Sequence, residues 1–230
     1  MDDTLIISDL HAPYHHPDAI EFIKAAKDWY GLDKAKSAGD IVDNHSASYH
    51  EIEYGTLSAR DEHKKACATI QEVSEVYPEL TVVLGNHDVL NKRKAKSAGI
   101  PEDMLASYND IYGVNWEWTD KDYFKVNKYG SCLLVHSMGS NTLSNAQRHS
   151  HHSIQGHHHG RYGIEYFADT EVLRWSMSVG CLINPDSPAF NYARGATLNR
   201  PIIGMGAIIE DQPHLIPMQL KKSGRWDNTI

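Results

Sequence analysis

Carboxylate, imidazole and amide side chains recur in this chain where strands are expected to end. Asp9 and His11 follow the apolar run Leu5-Ile6-Ile7, and Asp40 and Asp43 close a weaker run that starts at Ala35. Asn86, His87 and Asp88 follow Leu80 to Leu84, His136 follows Leu133-Leu134-Val135, and His157 and His159 follow Ser153-Ile154-Gln155. Layered α/β proteins bind ligands outside the carboxyl ends of their strands, so these positions define one candidate site. The donors are hard or borderline and include no thiolate. That mix suits manganese, iron, zinc, nickel or a similar first-row ion in an open site, not a closed structural zinc site. Asp9, His11, Asp40, Asn86, His136, His157 and His159 are too many for one tetrahedral ion and match two divalent ions sharing a bridge. In extended backbone, residues two apart share a face. Asp9 and His11 are therefore expected to aim together, as are His157 and His159, while His158 points away and is no ligand. Gly39, Gly85 and Gly156 each precede a proposed ligand, where a missing Cβ permits a sharp turn or a close approach.

The elements that must carry these residues change character along the chain. Leu5 to Ile7 reads as a buried strand. From Asp18 to Tyr30, apolar residues at Ile20, Ile23, Ala26 and Trp29 have helical spacing, and Gly31 closes the helix. A second helix is expected from Leu57 to Tyr77, stopped by Pro78, and a third around Pro101 to Tyr112. Short strand-like runs follow over 123–126, 132–135, 163–167, 172–179, 202–209 and 215–220. An alternating first half and a strand-rich second half predict an α/β protein with two sheets face to face and helices outside. The chain reads as a single domain over residues 1–230, without internal repeat or linker.

Bulk composition narrows the class. The 230 residues are 41% hydrophobic and 23% charged, which is ordinary for a globular domain with a core. No apolar run is long enough to cross a bilayer, so no membrane partner is expected. The start Met1-Asp2-Asp3-Thr4 lacks the basic opening of a secretory leader. With three scattered cysteines, which do not form a disulfide framework, this gives an expected cytoplasmic location. A net charge of −8 argues against a surface that coats nucleic acid, although two divalent cations would return four positive charges at the site itself. The 15 histidines exceed what packing needs.

Asp9-x-His11, Gly39-Asp40-x-x-Asp43, Gly85-Asn86-His87-Asp88, His136 and Gly156-His157-x-His159 stand in the order of the calcineurin-like metallophosphoesterase family. The resemblance covers about residues 5 to 160 and is closest in feel to the compact phage and bacterial members. It implies a four-layer α/β/β/α sandwich with two facing mixed β-sheets and the metals at the strand C-terminal ends. It implies that Asp9, His11, Asp40 and His159 hold a first ion, that Asp40 bridges, and that Asn86, His136 and His157 complete a second. A water or hydroxide between the ions is then the nucleophile, its pKa lowered by the cations. His87 is the implied catalytic group outside the metal shell, acting on the phosphate or the leaving oxygen, and Asp43 is the carboxylate implied to pair with it. Two departures from the family pattern stand out. Asn44 and His45 follow the second motif where many protein-phosphatase relatives carry arginine, and Gly160 follows the last histidine.

The resemblance implies a phosphodiesterase or nuclease acting on nucleotides or nucleic acid, with phosphomonoesterase as the nearest alternative. A non-catalytic, protein-binding scaffold of the same fold is the reading from another class, and the complete ligand set opposes it. The oligomeric state is left open. His15, His16, His149, His151 and His152 read as solvated loop residues, and His63 and His214 as surface residues. His45 and His50 lie just past Asp43, and whether one of them touches substrate is left open. Asp88 is expected to hold its loop by hydrogen bonds. The run Lys92-Arg93-Lys94-Ala95-Lys96 is either an anion-steering patch or a solvated helix face. Trp116 and Trp118 are expected to cover a sheet.

Overall fold

The computed structural model describes residues 3–49, 54–127, 130–139, 141–170, 172–190 and 200–230. His50, one of the two histidines just past Asp43, lies outside the described residues.

Strand β1 (Thr4–Ile7) is buried along its whole length. Leu5 and Ile7 face a helical layer, and Ile6 faces a second sheet. Cover on both faces is why this strand reads as a continuous apolar run and not an alternating one. Helix α1 (Ala19–Tyr30) buries Ala19, Ile20, Phe22, Ile23 and Ala26 along one stripe and ends at Gly31 in the left-handed region, φ 65°. Trp29, counted in the expected apolar spacing, is instead largely exposed. Strand β2 (Lys34–Ser37) stops before Gly39-Asp40. Helix α2 (Ala59–Val76) is capped by Ser58, whose side chain accepts from the Asp61 N–H, and buries Ala66, Ile70, Val73 and Val76. Each larger side chain among these contributes roughly 1.5–3 kcal/mol of burial.

Strand β3 (Thr81–Val83) and helix α3 (Leu90–Ser97) follow, then helix α4 (Tyr108–Tyr112) and strand β4 (Glu117–Thr119). The single helix expected around Pro101 to Tyr112 is instead a 3-10 turn at Glu102–Met104 and the short α4. The break falls at Ser107, which caps α4 by accepting from Asp110. Trp118 lies in β4 and stacks on Tyr108 with ring centroids 4.7 Å apart.

The remaining elements are β5 (Asp122–Asn127), β6 (Gly130–Val135), α5 (Thr142–His149), β7 (His152–Gln155), β8 (Tyr162–Ala168), β9 (Leu173–Val179), β10 (Gly204–Ile209) and β11 (Gln212–Pro217). The six-stranded sheet has the order β11-β10-β1-β2-β3-β4, and the five-stranded sheet the order β5-β6-β7-β9-β8. Both are mixed: β1, β2, β3 and β4 are parallel with β10 antiparallel, and β6, β7 and β9 are parallel with β5 and β8 antiparallel. Between the sheets lie Ile6, Val83 and Ile208 from one side and Leu134, Ile154, Trp175 and Met177 from the other. Helices α1 and α2 cover the outer face of the first sheet, and α5 covers the second, where Asn145 donates to Gln155 at 3.0 Å. The result is the expected four-layer α/β/β/α sandwich.

Three loop histidines differ from expectation. His16 is buried, with Nε2 2.9 Å from the Gly224 carbonyl, because the C-terminal segment folds back over the start of α1. There Arg225 and the Trp226 N–H both meet the Asp18 carboxylate. His15 is likewise largely enclosed, and burial holds its pKa down at about 4. His152 opens β7, stacks on Trp175 at 4.6 Å, and accepts from the Trp175 N–H. Burial, then Arg174, lowers its pKa to about 4. The stretch expected to be solvated loop around His149 is occupied by the end of α5.

These two neutral histidines carry a pH dependence. Folded pKa values of about 4, against about 6.5 unfolded, mean that the unfolded chain binds more protons between those limits. The stability they confer is fully present above pH 6.5 and drains as the pH falls toward 4. Each contributes up to about 1.4 kcal/mol per pH unit. Comparing His152→Asn with the parent chain by urea denaturation across this window should show a shallower slope for the variant. An unchanged slope would show that His152 titrates alike in the folded and unfolded chain.

Candidate metal centre

The loops after β1, β2 and β3 in one sheet meet those after β6 and β7 in the other. Asp9 and His11 do not reach the site through extended backbone. Both take left-handed conformations, φ 48° and 50°, as do Asp40 at 47° and His157 at 68°. Non-glycine residues rarely adopt this region, and such strain concentrates at functional sites. Close approach explains two of the glycines. A Cβ on Gly85 would collide with the Asp40 carboxylate, and one on Gly156 would press on Asp9 and Ser8. That space lets the His87 N–H donate to Asp40 Oδ1 at 2.8 Å and the His157 N–H to Asp9 Oδ2 at 2.9 Å.

Three groups of donor atoms, each within 4.8 Å, run through the site: Asp9, His11 and His159; His11, Asp40 and His87; Asp40, His136 and His157. Consecutive groups share His11 and then Asp40. His159 Nε2 is 3.0 Å from Asp9 Oδ1, and His136 Nε2 is 3.0 Å from both Asp40 Oδ2 and Asn86 Oδ1. His136 Nε2 also lies 3.2 Å from His157 Nδ1. All seven predicted ligands therefore converge. His157 and His159, expected to aim together, part company: one lies beside Asp40, the other beside Asp9. His158 belongs to none of the three groups and contacts the Gly139 carbonyl at 3.3 Å.

Ring orientation is set from behind. His136 Nδ1 is 2.8 Å from the Ala38 carbonyl, to which it donates, and this turns Nε2 toward the site. His11 Nδ1 is 2.6 Å from Asp43 Oδ1, and its Nε2 is buried without a hydrogen-bond partner among the described residues. A buried imidazole nitrogen aimed between Asp9 and Asp40, 3.8 and 3.7 Å away, fits a cation better than it fits any protein neighbour.

The electrostatics agree. Burial alone would push the Asp9 and Asp40 carboxyls up, but the surrounding histidines outweigh it and hold both below the usual range. Burial would likewise lower His11 and His136. The carboxylates reverse this, driving His11 well above its usual value and His136 to about 9. The site thus concentrates negative charge that demands positive charge in return, and protons compete with cations for the same lone pairs. Asp88 plays the expected loop role: it accepts from the Gly85 and Val42 N–H groups at 2.8 and 3.1 Å. Burial, then the nearby Asp40, raises its carboxyl to about 6.

Asp43 meets His87 as expected, but it lies closer to His11. Its Oδ1 is 2.6 Å from His11 Nδ1 but 3.3 Å from His87 Nδ1, and the nearer acceptor for His87 is the Asp43 carbonyl at 2.7 Å. Asp43 thus orients a ligand first and His87 second. Nothing in the motif spacing reveals this, because the sharing depends on where His11 lands. His45 is buried with its N–H on Glu62, and its Nδ1 lies 3.8 Å from Asp43 Oδ2, behind that residue. Because a carboxylate behind a ligating histidine typically carries 10–100-fold of metal affinity, Asp43→Ala should weaken Mn²⁺ binding about that much in calorimetry. Unchanged affinity with a lower turnover would return Asp43 to serving His87 alone.

Adjoining histidine and carboxylate groups that fit metal ions, gathered at the strand ends of an α/β/β/α sandwich, define a candidate metal-binding α/β protein. The family model described as calcineurin-like phosphoesterase matches residues 3–184, and this chain belongs to that family. Among solved structures, it is similar to YfcE, a phosphoesterase from E. coli, at 13% identity and a TM-score of 0.50, covering 99% of this chain and 98% of that one. It is similar to Vps29 of Chaetomium thermophilum at 12% identity and a TM-score of 0.52, covering 99% and 94%. At these identities the likeness is one of fold. A search of curated protein sequences gives no significant match. No helix among the described residues is long and apolar enough to cross a membrane.

Proposed function

We propose that this chain hydrolyses phosphate esters with two divalent cations, and that its substrates are phosphodiesters of nucleotides or nucleic acid. The reading is carried by one observation: consecutive donor groups share His11 and Asp40, so that a carboxylate stands between two sets of ligands. Asp9, His11, Asp40 and His159 would hold the first ion, and Asp40, Asn86, His136 and His157 the second. Bound there, the cations supply Lewis acidity toward phosphate oxygens and acidify water. The chain's own residues do the rest. Asp43 holds the His11 ring. The Gly85 turn presents Asn86 inward and sets His87 beside His11, ring centroids 4.6 Å apart. With Nδ1 held by the Asp43 carbonyl, His87 offers Nε2 to the phosphate or to the departing oxygen.

Carboxylate and imidazole donors favour manganese, with iron, zinc and nickel compatible. A panel with Mn²⁺ tests the substrate class by comparing an aryl monoester, an aryl diester, cyclic nucleotides, and single- and double-stranded DNA. Diesters should turn over faster than the monoester. Faster monoester hydrolysis would make the protein a phosphatase. Absence of any turnover with both ions bound would favour a binding-only role for this fold.

A further inference from the structure

We propose that α3 and Tyr49 form a docking platform for one nucleic-acid strand beside the metal centre, an inference that rests on the phosphodiester reading above. Helix α3 (Leu90–Ser97) starts three residues after His87 and is tied to it, since the Leu90 N–H donates to the His87 carbonyl at 3.1 Å. Its sequence, LNKRKAKS, contains four cations and no acid, in a chain whose net charge is −8. Lys92 is neutralised by Glu102 at 3.1 Å and lies over the Tyr108 ring, so its role is internal. Arg93, Lys94 and Lys96 are exposed and form no ion pair with an acid among the described residues.

An aromatic side chain from the loop that follows Asp43 joins this helix. Tyr49 follows the 3-10 turn His45–Ala47, only a few residues beyond Asp43. It is 61% exposed and contributes nothing to the core. Lys94 Nζ lies 4.0 Å from its ring centroid and the Arg93 guanidinium carbon 5.8 Å. Cations that follow a phosphate backbone, combined with an exposed ring on which a base can stack, are the two components of single-strand recognition. The segment after Asp43 and the helix after His87 supply them, joined by Asn44 donating to the His87 carbonyl at 3.0 Å, so a strand whose scissile phosphate lies on the metals would pass over the platform. A helix of eight residues is about 12 Å long, enough for a short stretch of one strand and too small to coat a duplex. A solvated helix face would have no reason to gather an exposed tyrosine against its cations.

The test is binding of a phosphorothioate single-stranded oligonucleotide to the Mn²⁺-loaded protein, followed by fluorescence anisotropy across a salt series. The triple variant Arg93→Gln, Lys94→Gln, Lys96→Gln should bind at least tenfold more weakly at low salt. Its log–log salt slope should be shallower by about two, since each lost single-strand phosphate contact removes about 0.7. Turnover of a small aryl diester should stay within twofold of the parent. Tyr49→Ala should lose about 5- to 100-fold in oligonucleotide affinity with an unchanged slope, and should bind inorganic polyphosphate as the parent does. Unchanged affinity and slope in the triple variant would overturn the platform. So would tighter binding of duplex than of single strand, or a Tyr49→Ala variant indistinguishable from the parent. If the parent binds the oligonucleotide through these residues yet cleaves no diester, the platform stands and the phosphodiester reading fails.

Discussion

Replacing Asp40 by alanine will abolish metal-dependent hydrolysis of an aryl phosphodiester, with a loss on the order of 10³-fold or more. Asp40 is the one carboxylate placed between both ligand sets: its Oδ2 is 3.0 Å from His136 Nε2 and 3.7 Å from His11 Nε2. Its other oxygen accepts from the His87 N–H. In the two-cation reading proposed above, removing it would take a charge from each ion at once and free the loop that presents His87. Lewis-acid stabilisation of a phosphoryl transition state is worth several kcal/mol, and each 1.36 kcal/mol is tenfold in rate. Asp40→Asn separates the two contributions. The amide oxygen still accepts from His87 and fills the same space, while the negative charge is gone. Elemental analysis of Asp40→Asn should show less than the parent's metal content, with circular dichroism unchanged. Full activity of either variant would end the binuclear assignment.

The second large effect belongs to His87. His87→Ala should retain both ions and lose about 10²–10⁴-fold in turnover on an ester with a poor leaving group, the range of a positioned general acid. The loss should shrink markedly for p-nitrophenyl esters, whose leaving group departs without a proton. This contrast distinguishes proton donation from binding of the phosphate, which would cost both substrates alike. His87 also shares a donor group with His11 and Asp40. Metal loss from His87→Ala would therefore make it a ligand, and the direct measurement is metal content and not rate.

Much of the site was legible because metal chemistry is written in residue types. Asp9, His11, Asp40, Asn86, His136, His157 and His159 announced themselves by standing at strand ends, and Asp88 by completing a turn. Other features were hidden for physical reasons. Helix α5 is short and polar, and its one local signal is the Asn141 cap accepting from Ser144. His152 looked like one more residue of a histidine-rich loop. Only its stacking on Trp175, 23 residues away in the chain, makes it part of the core. His16 was hidden in the same way, because its partner Gly224 lies 208 residues further on.

From its sequence alone, this protein was determined to be an α/β chain with hard and borderline donors, no thiolate among them, at five strand ends in a fixed order. Residue chemistry and strand periodicity are local properties, and they suffice for that. Only the tertiary structure decided which donors lie beside one another, how far His157 and His159 stand apart, and that Asp43 meets His11 more closely than His87. Those choices depend on two separate sheets bringing their ends to one place, and on left-handed kinks at Asp9, His11, Asp40 and His157 that redirect each side chain by an angle no spacing rule encodes.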